Sequence, residues 1–438
     1  MADQTLAQAR GCVLGGTYRT FYSTPLIVES ASGCIITDVN GNNYLDAYNN
    51  VPVLGHSAPQ VRLAVEAQLG RANVHTRYVD KGIVDYAQRL VATFPDSLES
   101  VVFACSGSEA NDLALRLAAH ATGRDGVIVT RHAYHGTTAA VATVSPSLAG
   151  SATGDHVEGV ELPAWDAPDF DELLAATIRD AAGHLAGRGH PFGAFILDSA
   201  VTSDGILEPR SLEQTVRTVH ELGGFYIADE VQSGFGRTGA NWGFERLDVV
   251  PDLVALGKPM GNGIPVSAVL GSHEIFDSFG AEQRYFNTFA GTAVPIAAAE
   301  VVLAELESGA LTTRANEGGA VLKDCLVDAI ARSSVPATVR QNGLMVGVDF
   351  ELRPVTEPNA VSTAAAARRA QAMVELLYAE RVLVSSTGSA GTILKIRPPL
   401  VITDDQLKEL ALAFGRALSR LEDLENSKSS AADSRDGE

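Results

Sequence analysis

A chain of 438 residues with 53 acidic against 33 basic side chains carries a formal charge of −20. That balance argues against partners that need a broad basic face, nucleic acid and anionic membrane surfaces among them. At 46% hydrophobic and 20% charged, the composition is globular, with length for one large domain or about three of ~150 residues.

In chain order, residues 37–48 read as turns and short strands around Asn40-Gly41. Helical spacing of apolar residues follows over 59–69 and again over 82–94. The middle of the chain then alternates. Short apolar runs at 101–104, 126–130, 194–198, 225–229 and 253–256 read as strands, and amphipathic helices fall at 108–121 and 212–222. Continuous apolar strands between helices indicate a mostly parallel sheet covered on both faces. From Thr312 the texture becomes helix, strand (345–350), helix, strand (392–396), helix, with Thr403 and Gln406 as a capping box for the last. The expected division is an N-terminal segment (1–70), a large domain (71–311), a C-terminal part (312–425) that joins the first in a smaller α+β domain, and a disordered polar tail (426–438).

Cys12, Cys34, Cys105 and Cys325 show no paired spacing, which fits a reducing compartment. The start MADQTLAQAR lacks a basic-then-apolar signal, and no apolar run is long enough to span a bilayer. The expectation is a cytoplasmic protein.

Ligands of such sheets lie beyond the carboxyl ends of the strands, and four features fall there. Ser106-Gly107-Ser108 opens a helix, where free N–H groups suit a phosphate or merely await an ordinary cap. Asp229 ends a buried strand, so it meets either a cofactor cation or a structural partner. Lys258, 29 residues on (258 − 229), lies between Gly257 and Pro259; it is either a surface-turn lysine or a partly desolvated one able to form a Schiff base. Tyr134, beside His135, stacks on a flat ring or belongs to the core. His132 and His135 lack a third ligand at a recognisable spacing, so no metal is expected. Gly234, Gly236 and Gly239 satisfy the dinucleotide fingerprint, but the sequence beyond them has no helical period, so the match is accidental.

Together, a phosphate cradle, a strand-end acid, a lysine and a stacking aromatic are what pyridoxal phosphate requires. The chain resembles the class III aminotransferases, pyridoxal-phosphate enzymes of fold type I, over roughly 21–421. The resemblance rests on NNYLDAYNNVPVLGH, SGSEANDLALRLA, AYHGTT, FYIADEVQSGFGRTG, LGKPMGNGIP, FNTFAGTAV and LKIRPPLVIT. FYSTPL, VDYAQRL and RVLVSS are similar to the branch that holds ethanolamine-phosphate and phosphohydroxylysine phospholyases and alanine–glyoxylate-type aminotransferases.

The resemblance implies that Lys258 is the Schiff-base lysine and that Asp229 partners the pyridine nitrogen. It places Gln232 near the ring O3′, Ser106, Gly107 and Ser108 at the phosphate, and Tyr134 with His135 at the ring. Thr288 then serves the neighbouring subunit's phosphate, which implies a homodimer. Substrate contacts are expected from Tyr22, Asn50, Tyr78, Lys395 and Arg397. Lys395 stands where many relatives carry a carboxylate-gripping Arg, and residues 198–203 lack the family's acidic gate. The expected activity is transamination between an amine donor and a carbonyl acceptor; the alternative is phospholyase elimination on a phosphorylated amine.

Overall fold

A computed structural model of the chain describes residues 2–18, 20–148, 153–351 and 360–433. The strands in chain order are β1 (Val28–Ser32), β2 (Ile35–Asp38), β3 (Asn43–Asp46), β4 (Ser100–Ala104), β5 (Gly126–Thr130), β6 (Val157–Val160), β7 (Phe192–Asp198) and β8 (Phe225–Asp229). They continue with β9 (Leu253–Leu256), β10 (Ser267–Gly271), β11 (Thr338–Gln341), β12 (Val346–Asp349), β13 (Val382–Leu383), β14 (Ser385–Thr387) and β15 (Ile393–Ile396). The central sheet has the order β4-β10-β9-β8-β7-β5-β6. Its pairs are parallel from β9 through β8, β7 and β5 to β6. Only β10 runs against its neighbours β4 and β9.

Each residue of β5 is buried, as a β-branched run covered on both faces should be. The covering helix Gly107–Thr122 shows why the elements begin and end where they do. The Ser106 hydroxyl accepts from the Glu109 N–H at 3.3 Å, and Gly123 closes the helix in a left-handed conformation at φ +64°. Ala110, Leu113, Ala114, Leu117 and Ala118 are buried along one stripe.

Two smaller four-stranded sheets flank this layer, β1-β2-β3-β13 and β11-β12-β15-β14. The pairing of β13 with β3 ties the end of the chain to its beginning. The capping box forms as expected: the Gln406 N–H donates to the Thr403 hydroxyl at 3.2 Å, and the Thr403 N–H donates to the Gln406 amide oxygen at 3.0 Å.

Several elements differ from the sequence reading. The final helix runs on to Asp433, past the expected start of the tail at 426; residues 434–438 lie outside the described residues. Strands β6 and β10 were not expected, because four and five residues of mixed small and polar type carry too little period to register. Helix Phe170–Gly187 was also missed, although seven of its side chains are buried.

Candidate active site

Five strand ends of the central sheet converge on one cavity of about 190 Å³. Asp198 and Asp229 close adjacent parallel strands and stand opposite each other in the β7–β8 register. Lys258 follows β9, Gly107 and Ser108 follow β4, and Tyr134 and His135 follow β5; all line the cavity with Asp198, Asp229, Val231 and Gln232. The structure therefore brings the cofactor residues expected from one chain into a single place, apart from Ser106, which caps the helix beside it.

Asp229 is 4% exposed, and a carboxylate so enclosed needs donors. One oxygen, Oδ1, accepts from the Val231 N–H at 3.0 Å. The other, Oδ2, accepts from Asn111 Nδ2 at 2.9 Å and lies 2.7 Å from His135 Nδ1. His135 Nε2 is buried with no partner, so the proton belongs on Nδ1, facing the carboxylate. The neighbouring Glu230 points the other way. It is fully buried and accepts from the Ser199 and Ser233 hydroxyls and the N–H groups of Gly243 and Phe244, at 2.6–2.9 Å. Burial nonetheless pushes its carboxyl up to about 7, against the lowering effect of these donors.

Lys258 sits at φ +27°, inside the left-handed region that side chains avoid. Burial holds its ammonium below the ordinary lysine range, Asp229 opposes that shift, and Arg397 adds to it. Such an amine sheds its proton more readily than a solvated one.

The cradle beside it depends on missing side chains. A Cβ on Gly107 would stand 2.7 Å from a Val231 methyl. Gly136, at φ +142°, passes so close to Ser108 that a Cβ would collide with its side chain. The Ser108 hydroxyl accepts from the Thr137 N–H at 3.1 Å, which fixes the loop against the helix start.

The expected substrate residues separate into two groups. Arg397 is 5% exposed, donates to the Gln232 amide oxygen, and holds its guanidinium 4.8 Å from the Tyr48 ring. Burial, then the charges of Arg397 and Lys258, push the Lys395 ammonium well below its ordinary range; neither Lys395 nor Arg397 lines the cavity itself, which Arg397 meets through Gln232. The backbone behind Arg397 is clamped by Arg237, whose Nη1 donates to the carbonyls of Pro398 at 2.6 Å and Leu344 at 3.0 Å.

Tyr22 and Tyr78 are not brought to the cavity. The Tyr22 hydroxyl donates to the Val384 carbonyl at 3.1 Å, and its ring stacks on Tyr378; Tyr78 is 65% exposed and stacks on His75. Asn50 is buried, with Nδ2 unpartnered, and does not line the cavity. Thr288 lies on an exposed segment between Phe286 and Phe289 and does not line the cavity either. Sequence reasoning missed Tyr48, Asn111, Val231 and Asp198. Asn111, Val231 and Tyr48 lie inside motifs already quoted, and Asp198 ends an apolar strand as Asp229 does, so each carried a signal that was not assigned to the site.

The residues present fit pyridoxal phosphate. A glycine-lined helix start suits the phosphate, an enclosed carboxylate suits a protonated ring nitrogen, and the amine of Lys258 opens on the same cavity. No group of three or more metal-ligating side chains is found among the described residues. No helix among them is long and apolar enough to cross a membrane.

The family model for class-III aminotransferases matches residues 18–418. The chain is 35% identical over 429 residues to an alanine–glyoxylate aminotransferase 2-like protein of Drosophila melanogaster, covering 93% of this chain and 85% of that one. It is 32% identical over 453 residues to an ethanolamine-phosphate phospho-lyase homolog of Caenorhabditis elegans, covering 95% and 94%. Among solved structures, a phospholyase from Arthrobacter in complex with phosphoethanolamine matches with a TM-score of 0.87 at 36% identity, over 94% of this chain and 99% of that one. A transaminase from a marine Virgibacillus shares the fold, with a TM-score of 0.84 at 22% identity.

Proposed function

Because the chain belongs to the class III aminotransferases, pyridoxal-phosphate enzymes of fold type I, we propose that it moves an amino group between a primary amine or amino acid and a carbonyl compound, with Lys258 as the covalent anchor of the cofactor. The observation that carries this reading is the lining of one cavity by Lys258, Asp229 and the Gly107-Ser108 turn. Bound there, pyridoxal 5′-phosphate supplies a sink for the electron pair left when a substrate Cα–H bond breaks.

The chain's own residues do the rest. The turn of Ser106, Gly107 and Ser108 presents N–H groups to the phosphate. Asp229 offers its carboxylate to the ring nitrogen, with His135 behind it. Tyr134 and Val231 line the walls against which a flat ring rests, and Gln232 stands near its oxygen. Lys258 Nζ, already inclined to be neutral, takes the proton from the substrate Cα and returns it. Lys395 and Arg397 receive the substrate's anionic group.

Thr288 reaches the site of a second copy in this reading, and its exposure on one chain supports a homodimer. The pairing of β13 with β3 supports a small domain built from 1–70 and 312–425 around a large domain at 71–311. Four free cysteines suit the cytoplasm.

A second reading, phospholyase elimination, is favoured by the cation cluster. Neither Lys395 nor Arg397 has a carboxylate ion pair among the described residues, and a phosphate carries the double charge that two cations match. Incubation with phosphoethanolamine separates the two. Transamination predicts amine transfer only when a carbonyl acceptor is added; inorganic phosphate released without an acceptor would establish the lyase instead.

A further inference from the structure

We propose that Asn111 is a positioning residue that aims the Asp229 carboxylate at the cofactor's ring nitrogen. The inference rests on Asp229 being that nitrogen's partner. Asn111 is fully buried on the helix Gly107–Thr122, four residues after the phosphate-binding glycine. Its Nδ2 donates twice, to Asp229 Oδ2 at 2.9 Å and to the His135 carbonyl at 2.8 Å. Both partners are acceptors, so the amide has one possible orientation, nitrogen toward Asp229.

One side chain thereby joins three separate pieces of the site. The helix brings the phosphate donors at its first turn, the loop after β5 brings Tyr134 and His135, and β8 brings Asp229. The helix is stiff at this length, so the spacing from Gly107 to Asn111 acts as a ruler between the phosphate and nitrogen ends of the ligand. The Val231 N–H holds one carboxylate oxygen, and Asn111 with His135 holds the other. With both oxygens engaged, rotation of the carboxylate costs hydrogen bonds, and one lone-pair site, on Oδ1, is left for the ring nitrogen in the cavity that Asp229 lines. Asn111 Oδ1 is buried without a partner, so the residue is kept for its donors rather than for a fully satisfied amide.

The test compares two probes, pyridoxal phosphate and its 1-deaza analogue, which lacks the ring nitrogen. Each is titrated into apoenzyme, and affinity is read from its visible absorbance. The parent should prefer pyridoxal phosphate. Asn111→Leu, which keeps the bulk and removes both donors, should lose about 10- to 100-fold of that preference, the range for a hydrogen bond to a charged group. The analogue's own affinity should change little. Equal weakening of both probes overturns the proposal, because that is the result of a purely structural role. An unchanged preference overturns it as well. A parent with no preference at all removes the Asp229 assignment itself, and the proposal with it, and this outcome is visible before any variant is made. If Asn111→Leu does not fold, Asn111→Ala is read by the same ratio.

Discussion

Burial and Asp229 act on the amine of Lys258 in opposite directions, and burial is the larger effect, so the neutral amine is favoured at a lower pH than for a free lysine. The rate at which apoenzyme takes up pyridoxal phosphate should therefore rise with pH and level off below the ordinary lysine value of ~10.4. Arg397 contributes to the lowering, so Arg397→Met should move that plateau to higher pH, as followed by stopped-flow absorbance. Lys258→Ala should reduce turnover by at least about a thousandfold, since it removes both the anchor and the base, while the phosphate cradle retains part of the cofactor affinity. At this scale the sequence was most legible where one residue type admits few uses. A lysine between glycine and proline at a strand end left two uses open, and the strand-end acid and glycine turn read beside it decided between them. Tyr22 and Tyr78 could not be placed in that way. A loop tyrosine stacks on whatever its loop meets, and here that was Tyr378 and His75.

The junction where β8 leaves the sheet carries two acids with opposite tasks. Asp229 faces the cavity, and Glu230 faces inward to pin the backbone at Gly243 and Phe244. The Glu230 carboxyl rises from 4.5 to about 7 in the folded chain, so the folded state holds its proton longer than the unfolded one. The stability this proton supplies is present below pH 4.5 and is lost as pH rises toward 7, at most about 3 kcal/mol by 1.36 kcal/mol per unit. In Glu230→Gln that pH-dependent loss disappears. Urea midpoints for the parent should fall relative to the variant between those pH values; parallel curves would refute the assignment. The strand itself was read correctly from FYIAD, yet nothing local reveals the partners of Glu230. They stand 3–31 residues away and meet it only once β7 and the Gly243 turn are in place. The same holds for Asn111, whose target lies 118 residues on.

For the whole molecule, the order of motifs along the chain already indicated one central sheet with its site at the strand ends. What remained illegible was the closure of the chain on itself. The β3–β13 pair spans more than 300 residues, and its two-residue strand is too short to have a period. The exposed Thr288 segment raises the matter of a second copy, which complementation can decide. Lys258→Ala and Thr288→Ala proteins, each inactive or weakened alone, should regain activity after mixing and subunit exchange, because each mixed dimer then contains one site with both residues intact. Activity that stays at the average of the two would place Thr288 outside the partner's site.

The left-handed backbone at Lys258 has a consequence for how this protein can change over time. Glycine is the residue such a turn prefers, and every side chain placed there carries a conformational penalty. Selection for a sturdier fold and selection for turnover thus pull this one position in opposite directions. Lineages that keep the lysine must find their added robustness elsewhere in the chain, whereas a lineage that drifts to glycine keeps the architecture and gives up the chemistry.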